Sequence, residues 1–293
     1  MSKQPILHLL FFSLVLLVVF AFNKKKKPKE TLLWEITSPN TKEKSYLFGT
    51  IHLIEKEFFK FPESLKEKIQ SSKKIIFELP YPNNTSVRDL LIFPGKNILN
   101  DFSENEKIKI LNWFKQHLKI DENDFLSNYA EFKPFVLAQT IIQFQFLDNS
   151  ISYEQEIYKV VKSKSIQIEG LESINDQLKV LDSIPYQTQL KNIITAIDSF
   201  DIYGNTLKEI QLAYKNQDLK KIYQWMLKDA SLSSYPLTSV LDERNKKWIS
   251  SIEKNINQSS TFIAVGAGHL AGENGLIELL KRKGYKLKSI YFE

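Results

Sequence analysis

The stretch FIAVGAGHLAGENGLIELLKRKGYKLKSIYFE, residues 262–293, predicts a strand, a glycine-rich turn, a helix and a second strand. Its opening apolar run, 261–265, is typical of a buried strand, and leucines at helical spacing follow the glycines from Leu276 onward. Gly284 comes directly after three basic residues and so predicts the end of that helix. His269 lies on the turn, at the centre of this unit.

His269 has a counterpart near the start of the folded part, where SYLFGTIHL (45–53) also runs from an apolar strand through Gly-x-x-His to His52. The chain holds four histidines, and these two share this setting. A histidine just beyond a strand end projects into the crevice where α/β proteins place their sites. If both strands run the same way in one sheet, His52 and His269 meet in one site. Each could equally be a hydrogen-bonded loop histidine, and the spacing leaves both interpretations open.

The rest of the pattern predicts an α/β protein with a central mixed sheet flanked by helices. Apolar runs predict further strands at 32–37, 45–48, 74–80 and 165–171, whereas the chain from 101 to about 214 is mostly helical. Within it, Ser103 and Glu106 have the spacing of a capping box. We therefore expect a largely helical insertion in mid-chain. His117 adjoins a core-type helix face there and is interpreted as structural or solvent-facing.

Several charged or polar residues stand where a site could use them. Glu78 is a carboxylate in an apolar strand, and it is either a site residue or an outward-facing one. Arg244 lies on the apolar stripe of a helix predicted at 239–255, where it either reaches solvent or meets a buried anion. We expect Asn245 beside it to tether backbone. Glu172 is a weaker candidate, as a carboxylate at a strand mouth or as a cap of the next helix.

Composition limits the classes of function. A hydrophobic fraction of 43% and a charged fraction of 25% are ordinary for a globular protein. The net charge of +6 comes from six lysines within the first 29 residues, so the rest of the chain is neutral and offers no basic surface for nucleic acid. Because the chain has no cysteine, disulfides, thiol catalysis and thiolate metal sites are excluded.

The chain resembles the TraB/GumN family, which includes the Tiki proteases, from about residue 33 to 290. The segments that carry the resemblance are LWEI (33–36), YLFGTIHL (46–53), IIFELP (75–80), EGLESINDQ (169–177), DSIP (182–185), DERNKKW (242–248) and VGAGHLAGENGLIELLKRKGY (265–285). The resemblance implies a metal-dependent hydrolase, best supported as a peptidase, with His52, His269 and Glu78 at the site. It also matches Arg244 to a family arginine that would hold a substrate carboxylate or stabilise an oxyanion.

One departure from the family pattern concerns Glu154. In relatives a Gly-x-Asp-like motif commonly precedes the helix predicted at 153–162, whereas this chain has Ser152-Tyr153-Glu154. The resemblance therefore leaves the role of this acid open.

Two neutral imidazoles and a carboxylate suit a divalent transition metal such as Mn, Co or Zn. An open coordination position would lower the pKa of a bound water and so create the nucleophile. Glu78 would be a ligand or the general base. Two alternatives stay open: ester hydrolysis by general-base catalysis without metal, and a non-catalytic, membrane-tethered protein that sequesters a peptide. The motif GAGHLA (266–271) also fits a dinucleotide fingerprint, but no further βα units follow, so we expect no such cofactor.

The N-terminal segment predicts export. Residues 6–22 form an apolar run, so we divide the chain into a signal peptide or signal anchor (1–23), a basic linker (24–30) and a TraB/GumN-like domain (31–293). By the resemblance, we expect an extracytoplasmic protein, periplasmic or at the cell surface, with a peptide or protein substrate and a membrane contact through 6–22. Lys24 to Lys27 follow the apolar run and favour the alternative, an anchor with a cytoplasmic domain.

Overall fold

The computed structural model describes residues 30–82, 88–146, 149–233 and 238–292. No helix within these ranges has the length and apolarity that a membrane crossing requires. The predicted signal or anchor at 1–23, and the basic linker up to residue 29, lie outside the described residues. Both therefore stay predictions.

A six-stranded sheet forms the centre of the fold, and a two-stranded ladder lies beside it. The strands are β1 (Leu33–Thr37), β2 (Lys44–Thr50), β3 (Ile54–Glu55), β4 (Lys74–Phe77), β5 (Ser150–Ile151), β6 (Gln167–Gly170), β7 (Thr261–Gly266) and β8 (Lys286–Ile290). Their order in the large sheet is β6-β4-β7-β2-β1-β8, and β3 pairs with β5 in the ladder. The predicted central mixed sheet is confirmed.

Four adjacent strands of this sheet, β6, β4, β7 and β2, run parallel. Strand β1 is antiparallel to both of its neighbours, β2 and β8. The central β7 is buried from Thr261 to Val265, as expected of a parallel strand covered on both faces. In the register between β2 and β7, Thr50 lies opposite Gly266. The two Gly-x-x-His turns therefore leave the sheet side by side at the same edge.

Helices surround the sheet and make up most of mid-chain. They are α1 (Glu63–Ser71), α2 (Arg88–Leu91), α3 (Glu104–Leu118), α4 (Glu122–Asn128), α5 (Pro134–Gln143), α6 (Tyr153–Val161), α7 (Ile174–Asp182), α8 (Tyr186–Asp198), α9 (Phe200–Lys215), α10 (Leu219–Ser233), α11 (Glu243–Gln258) and α12 (Leu276–Arg282). The capping box of Ser103 and Glu106 opens α3 as predicted. A π-helical turn, Thr238–Asp242, precedes α11, so the helix predicted from 239 begins with wider backbone geometry.

The apolar side chains of the described ranges form two separate cores. One packs against the large sheet and includes Phe48, Phe262 and Trp248. The other lies among α3, α4, α5 and α8 and includes Phe114 and Ile141. The helical insertion is therefore confirmed, and it has an apolar core of its own. His117 stacks on Trp113 within this second region, with ring centroids 4.8 Å apart, as expected of a structural histidine.

Candidate active site

The carboxyl ends of four parallel strands supply the predicted site residues. His52 follows β2, His269 follows β7, Glu78 is the first residue after β4, and Glu172 lies two residues beyond β6. The N–H of Glu172 donates to the carbonyl of Glu78 at 3.0 Å, which carries the pairing of β4 and β6 past the strand ends. This edge of parallel strands is where open α/β sheets place their ligands. The strand predicted at 74–80 ends earlier than expected, at Phe77, and Glu78 thereby turns into the site.

Arg244 of α11 is the centre of a buried ionic cluster. Its Nε and Nη2 donate to Glu172, at distances from 2.6 to 3.2 Å, and Nη2 also donates to Glu78 Oε2 at 2.5 Å. Its Nη1 donates to the carbonyl of Val240 in the π turn and to Nε2 of His269, each at 3.1 Å. All five N–H donors of the guanidinium are thus used. Arg244 meets a buried anion, and the anions are two carboxylates of the protein itself.

Glu172 is held by this cluster and does not cap a helix. Trp248 Nε1 donates to its Oε2 at 3.1 Å, and the guanidinium of Arg244 lies over the ring of Trp248. The helix after Glu172 is capped by Ser173, which forms a capping box with Asp176. Of the two predicted roles of Glu172, the structure shows the carboxylate at the strand mouth.

His269 is buried and neutral. Asn245 donates from Nδ2 to the carbonyls of His269 and Asn274, at 3.2 and 2.8 Å, and so tethers backbone as expected. This leaves Asn245 Oδ1 facing His269 Nδ1 at 2.7 Å, which assigns the proton to Nδ1 and the lone pair to Nε2. Burial, opposed by Glu78 but assisted by Arg244, lowers the pKa of His269 to about 4. The imidazole therefore stays uncharged at neutral pH.

His52 lies in a different environment. Its side chain is 68% exposed, and Nδ1 is 3.1 Å from Oε1 of Glu154, the first-turn acid of α6. Thr50 Oγ1 donates to the same oxygen at 2.7 Å, and Ser152 Oγ donates to Oε2 at 2.8 Å. The hydrogen bond to Glu154 raises the pKa of His52 above its ordinary value. Burial opposes the charge on Glu154, but His52 and Thr50 outweigh it and lower the pKa of this carboxyl.

Glu78 is held as a carboxylate. Its Oε1 accepts the backbone N–H of Gly266 at 2.7 Å, and the same oxygen lies 3.7 Å from Nε2 of His269. Burial raises the pKa of Glu78, but the neighbouring His269, Arg244 and His52 together with the Gly266 amide outweigh burial and lower it. The charge of Glu78 is therefore kept at neutral pH by contacts from three separate elements.

The first glycine of each Gly-x-x-His turn lies in tight packing. A Cβ on Gly49 would lie 3.0 Å from Cα of Ala267, on the neighbouring turn. A Cβ on Gly266 would lie 3.1 Å from Oε1 of Glu78. Ala267 and the carboxylate of Glu78 occupy the space beside these glycines. The two turns and Glu78 therefore pack closely against each other.

Two cavities open at this edge of the sheet, and His52, Glu78 and Gln177 line both. The first has a volume of about 270 Å³ and is also lined by His269 and Arg244. The second has about 220 Å³ and is also lined by Glu154, Ser152 and Tyr81. The structure thus brings the predicted residues His52, His269, Glu78 and Arg244 to one cavity.

Sequence reasoning missed the partner of His52. Glu154 is 102 positions away, and its sequence context departs from that of the relatives, so only its first-turn position on a helix marked it. Gln177 was also missed. It lies one turn into α7, and its Nε2 is 3.5 Å from Glu78 Oε2.

The predicted metal ligands are of the right chemical kind, but this arrangement does not fit a resident metal. Among the described residues, no three His, Asp or Glu side chains are gathered closely enough to hold an ion. The Nε2 lone pair of His269, which a metal would need, accepts a hydrogen bond from Arg244. A metal at His269 and Glu78 would have to displace the guanidinium from both. The predicted metal site of His52, His269 and Glu78 therefore stays a prediction that this geometry does not support.

The residues of this site lie within a stretch that matches a known protein family. The model of a family described as TraB/PrgY/gumN matches residues 32–289 of this chain. The metalloprotease TIKI1 of Xenopus tropicalis is 22% identical to this chain over an alignment 323 residues long. The alignment covers 90% of this chain and 62% of TIKI1. The chain thus spans well under the full length of this relative. No solved structure matches the chain.

Proposed function

The chain belongs to the TraB/PrgY/gumN family, and from this premise we propose that it is a hydrolase that cleaves peptide bonds beside His52 and Glu78. The relative TIKI1 is a metalloprotease, which supports peptides as the substrate class. The observation that carries the proposal is the shared lining of two adjoining cavities by His52 and Glu78. A peptide that spans both cavities would pass between these two groups.

The contacts of the two groups divide the acid and base roles. Glu154 favours the protonated form of His52, and Arg244 with the Gly266 amide favours the ionised form of Glu78. Paired titratable groups whose surroundings move their pKa values apart are the usual acid and base of an active site. Glu78 is therefore the general base and His52 the general acid.

The reaction follows from these roles. Glu78 accepts a proton from a water molecule while the water oxygen attacks the carbonyl carbon of the scissile bond. His52 donates its Nε2 proton to the leaving nitrogen as the carbon–nitrogen bond breaks, which releases a carboxylic acid and an amine. Glu154 holds the His52 ring through Nδ1, as a carboxylate commonly orients a catalytic imidazole. General acid–base catalysis of this type contributes about 10²–10⁴-fold in rate.

The buried cluster has a positioning role in this proposal. Arg244 and Glu172 fix Glu78, while Asn245 fixes the ring of His269 against Trp248. Because all donors of Arg244 are already used, its expected contact with a substrate carboxylate or oxyanion would require one of these bonds to break. That role of Arg244 remains a prediction.

The resemblance to the family implies a metal-dependent reaction, and no step above uses a metal. Of the expectations drawn from the sequence, the mechanism is closest to metal-independent acid–base hydrolysis, here applied to an amide. The same two groups would also hydrolyse an ester. The set of test substrates should therefore contain both amide and ester bonds.

Export stays part of the proposal. The apolar run at 6–22 would carry the domain to the extracytoplasmic side and then be cleaved or remain as an anchor. A reporter fused after Glu293 is expected to register the extracytoplasmic side. Reporter activity in the cytoplasm would support the cytoplasmic-facing anchor, which the lysines at 24–27 favour.

The test of the activity uses the purified full-length protein and a library of unmodified peptides, with products identified by mass spectrometry. We expect cleavage by the wild-type protein and none by Glu78→Gln. The matched control is Glu169→Gln, a carboxylate on the adjacent strand β6, which should leave cleavage unchanged. Recovery of a tightly bound, uncleaved peptide without any hydrolysis would overturn the proposal in favour of a peptide-binding protein.

A further inference from the structure

The cavity of about 270 Å³ has two unlike walls. One carries the site residues. The other is formed by side chains of β2's turn, α9, α10 and the π turn, and apart from the phenol of Tyr214 it is apolar: Ile51, Ile210, Tyr214, Ile222, Met226 and Leu241. Tyr214 donates its hydroxyl to the carbonyl of Gly49 at 2.7 Å, so its polar end is already used. A charged substrate group on this wall would lose its hydration without finding a partner.

The second cavity differs, although His52, Glu78 and Gln177 line it as well. It has the carboxylate of Glu154 and the hydroxyls of Ser152 and Tyr81 among its lining groups. Phe77, Leu79 and Ala264 also line it, so the reacting pair lies between two largely apolar cavities, of which the second adds the Glu154 carboxylate. A substrate that crosses this pair would meet the carboxylate of Glu154 only on the side of the second cavity.

We propose that the larger cavity is a subsite for one apolar side chain, of leucine or phenylalanine size, next to the bond that is cleaved. This inference rests on the proposed function. The cavity has a volume of about 270 Å³, just below the range of about 300–1,000 Å³ that holds a drug-sized ligand. One side chain with its adjoining backbone therefore fits, and a longer segment does not.

Met226 and Ile210 set the size of this subsite. The side chain of Met226 lies directly over the turn that carries His269. A Cβ atom placed on Gly268 of this turn would come within 2.3 Å of Met226 Cε. Ile222 and Leu241 are buried behind it, whereas Ile210 and Met226 are partly exposed and stand at the entrance. The flexible thioether of methionine can adapt to side chains of different shape.

The test uses the full-length protein and capped hexapeptides that differ at one central position, with Ala, Leu, Phe, Trp, Asp or Lys there. Cleavage is followed by mass spectrometry, and binding is followed separately by saturation-transfer NMR. We expect leucine and phenylalanine peptides to be cleaved at least about tenfold faster than the alanine peptide, with aspartate and lysine peptides below it. A matching set of esters shows whether the same preference holds for the acyl group of an ester.

Two variants of the entrance change its size in opposite directions. Ile210→Trp should reduce cleavage of the leucine and phenylalanine peptides at least about tenfold more than cleavage of the alanine peptide. Met226→Ala should move the preference towards tryptophan. The matched controls are Leu212→Trp on α9 and Leu227→Ala on α10, at side chains that are 40% and 47% exposed, and neither should alter the preference.

The outcomes separate this inference from the proposed function. Cleavage without preference, or a preference that neither entrance variant changes, overturns the subsite while the hydrolase proposal stands. If no peptide or ester is cleaved, the hydrolase proposal fails, and the binding measurements decide the subsite alone. Tighter binding of leucine and phenylalanine peptides that Ile210→Trp abolishes would support it, and equal binding of all peptides would overturn it.

Discussion

The two Gly-x-x-His turns share their spacing, strand direction and edge of the sheet, yet their histidines have opposite surroundings. The His52 side chain is 68% exposed and touches a carboxylate, whereas the His269 side chain is 4% exposed and accepts from a guanidinium. Their pKa values move in opposite directions as a result. The motif thus determines where each ring leaves the strand, and contacts from distant segments determine its charge.

This difference divides the site into two regions. The His269 side, with Arg244, Glu78, Glu172 and Asn245, is part of the buried framework. On the His52 side the imidazole is exposed, whereas the Glu154 side chain is 14% exposed and Thr50 is buried. Substitutions on the first side should affect stability and activity together, and substitution of the exposed His52 should affect activity alone.

The largest effect is expected for Arg244→Ala, which leaves Glu78 and Glu172 buried without their counter-charge. Breaking a buried ion pair by removal of one partner costs about 3–5 kcal/mol. We expect a loss of that order in the free energy of unfolding, measured by urea denaturation, together with loss of activity. Lys246→Ala on the same helix removes an exposed ion pair with Glu243 and should hardly change stability. Equal effects of the two would remove the distinction between framework and surface.

Arg244→Lys sharpens the same point. Lysine keeps the positive charge but cannot reproduce the planar fork that reaches both carboxylates. We expect the domain to stay folded and turnover to be lost, since Glu78 is no longer held in position. Full turnover in Arg244→Lys would mean that a general charge is sufficient at this position.

The two histidines should differ when each is replaced by alanine. His52→Ala should reduce kcat/KM by about 10²–10⁴-fold and hardly affect stability, because the ring is exposed. His269→Ala should also cost on the order of 2 kcal/mol or more in unfolding free energy, since it leaves a cavity against Trp248 and an unpaired Asn245 oxygen. Kinetics and urea denaturation on the same preparations measure both quantities. A larger loss of stability in His52→Ala would reverse the comparison.

A smaller effect is expected for Glu154→Gln, and it appears in the pH profile. Turnover needs protonated His52, so activity falls as pH rises through the pKa of this residue. Glu154 raises that pKa, and removing its charge should lower it towards the ordinary value of 6.5. The alkaline limb of kcat/KM should therefore move to lower pH. Glu156→Gln, two residues further on α6 and paired with Lys159, should leave the profile unchanged. An unmoved alkaline limb in Glu154→Gln would contradict the acid role of His52.

Metal removal should have the smallest effect. Because Arg244 occupies the Nε2 lone pair of His269, we expect the purified full-length protein to carry less than one equivalent of Mn, Co or Zn. Turnover should persist after treatment with a chelator. One tightly bound equivalent that is lost in both His52→Ala and His269→Ala would restore the metal site implied by the family resemblance.

Much of the framework could be predicted from the sequence. The strands beside both turns, the helical insertion and the capping box of α3 follow from local periodicity and turn chemistry, which act over a few residues. Strand ends were less certain: β4 stops at Phe77 because Glu78 turns away to meet Gly266 and Arg244. Such a boundary depends on partners more than 160 positions away.

The site was less predictable for the same reason. The pairings of Glu154 with His52 and of Glu172 with Arg244 span 102 and 72 positions, and no local pattern encodes which carboxylate meets which cation. The apolar stripe on α11 allowed two interpretations of Arg244, contact with solvent or with a buried anion. The pattern could not show that the protein itself supplies two anions, the carboxylates of Glu78 and Glu172.

The parallel register of Thr50 with Gly266 has a consequence for the order of folding. Strand β7 lies between β4 and β2 and joins them, but it is synthesised some 200 residues after either. Until β7 is synthesised, β2 pairs with β1 along one edge, and the backbone N–H and C=O groups of its other edge have no strand partner. His52 and His269 are then not yet brought together. Such long-range pairing is slow to form and exposes strand edges to aggregation. The sheet and its site are therefore completed late. A nascent chain whose β7 has not yet left the ribosome has neither the complete sheet nor the assembled site.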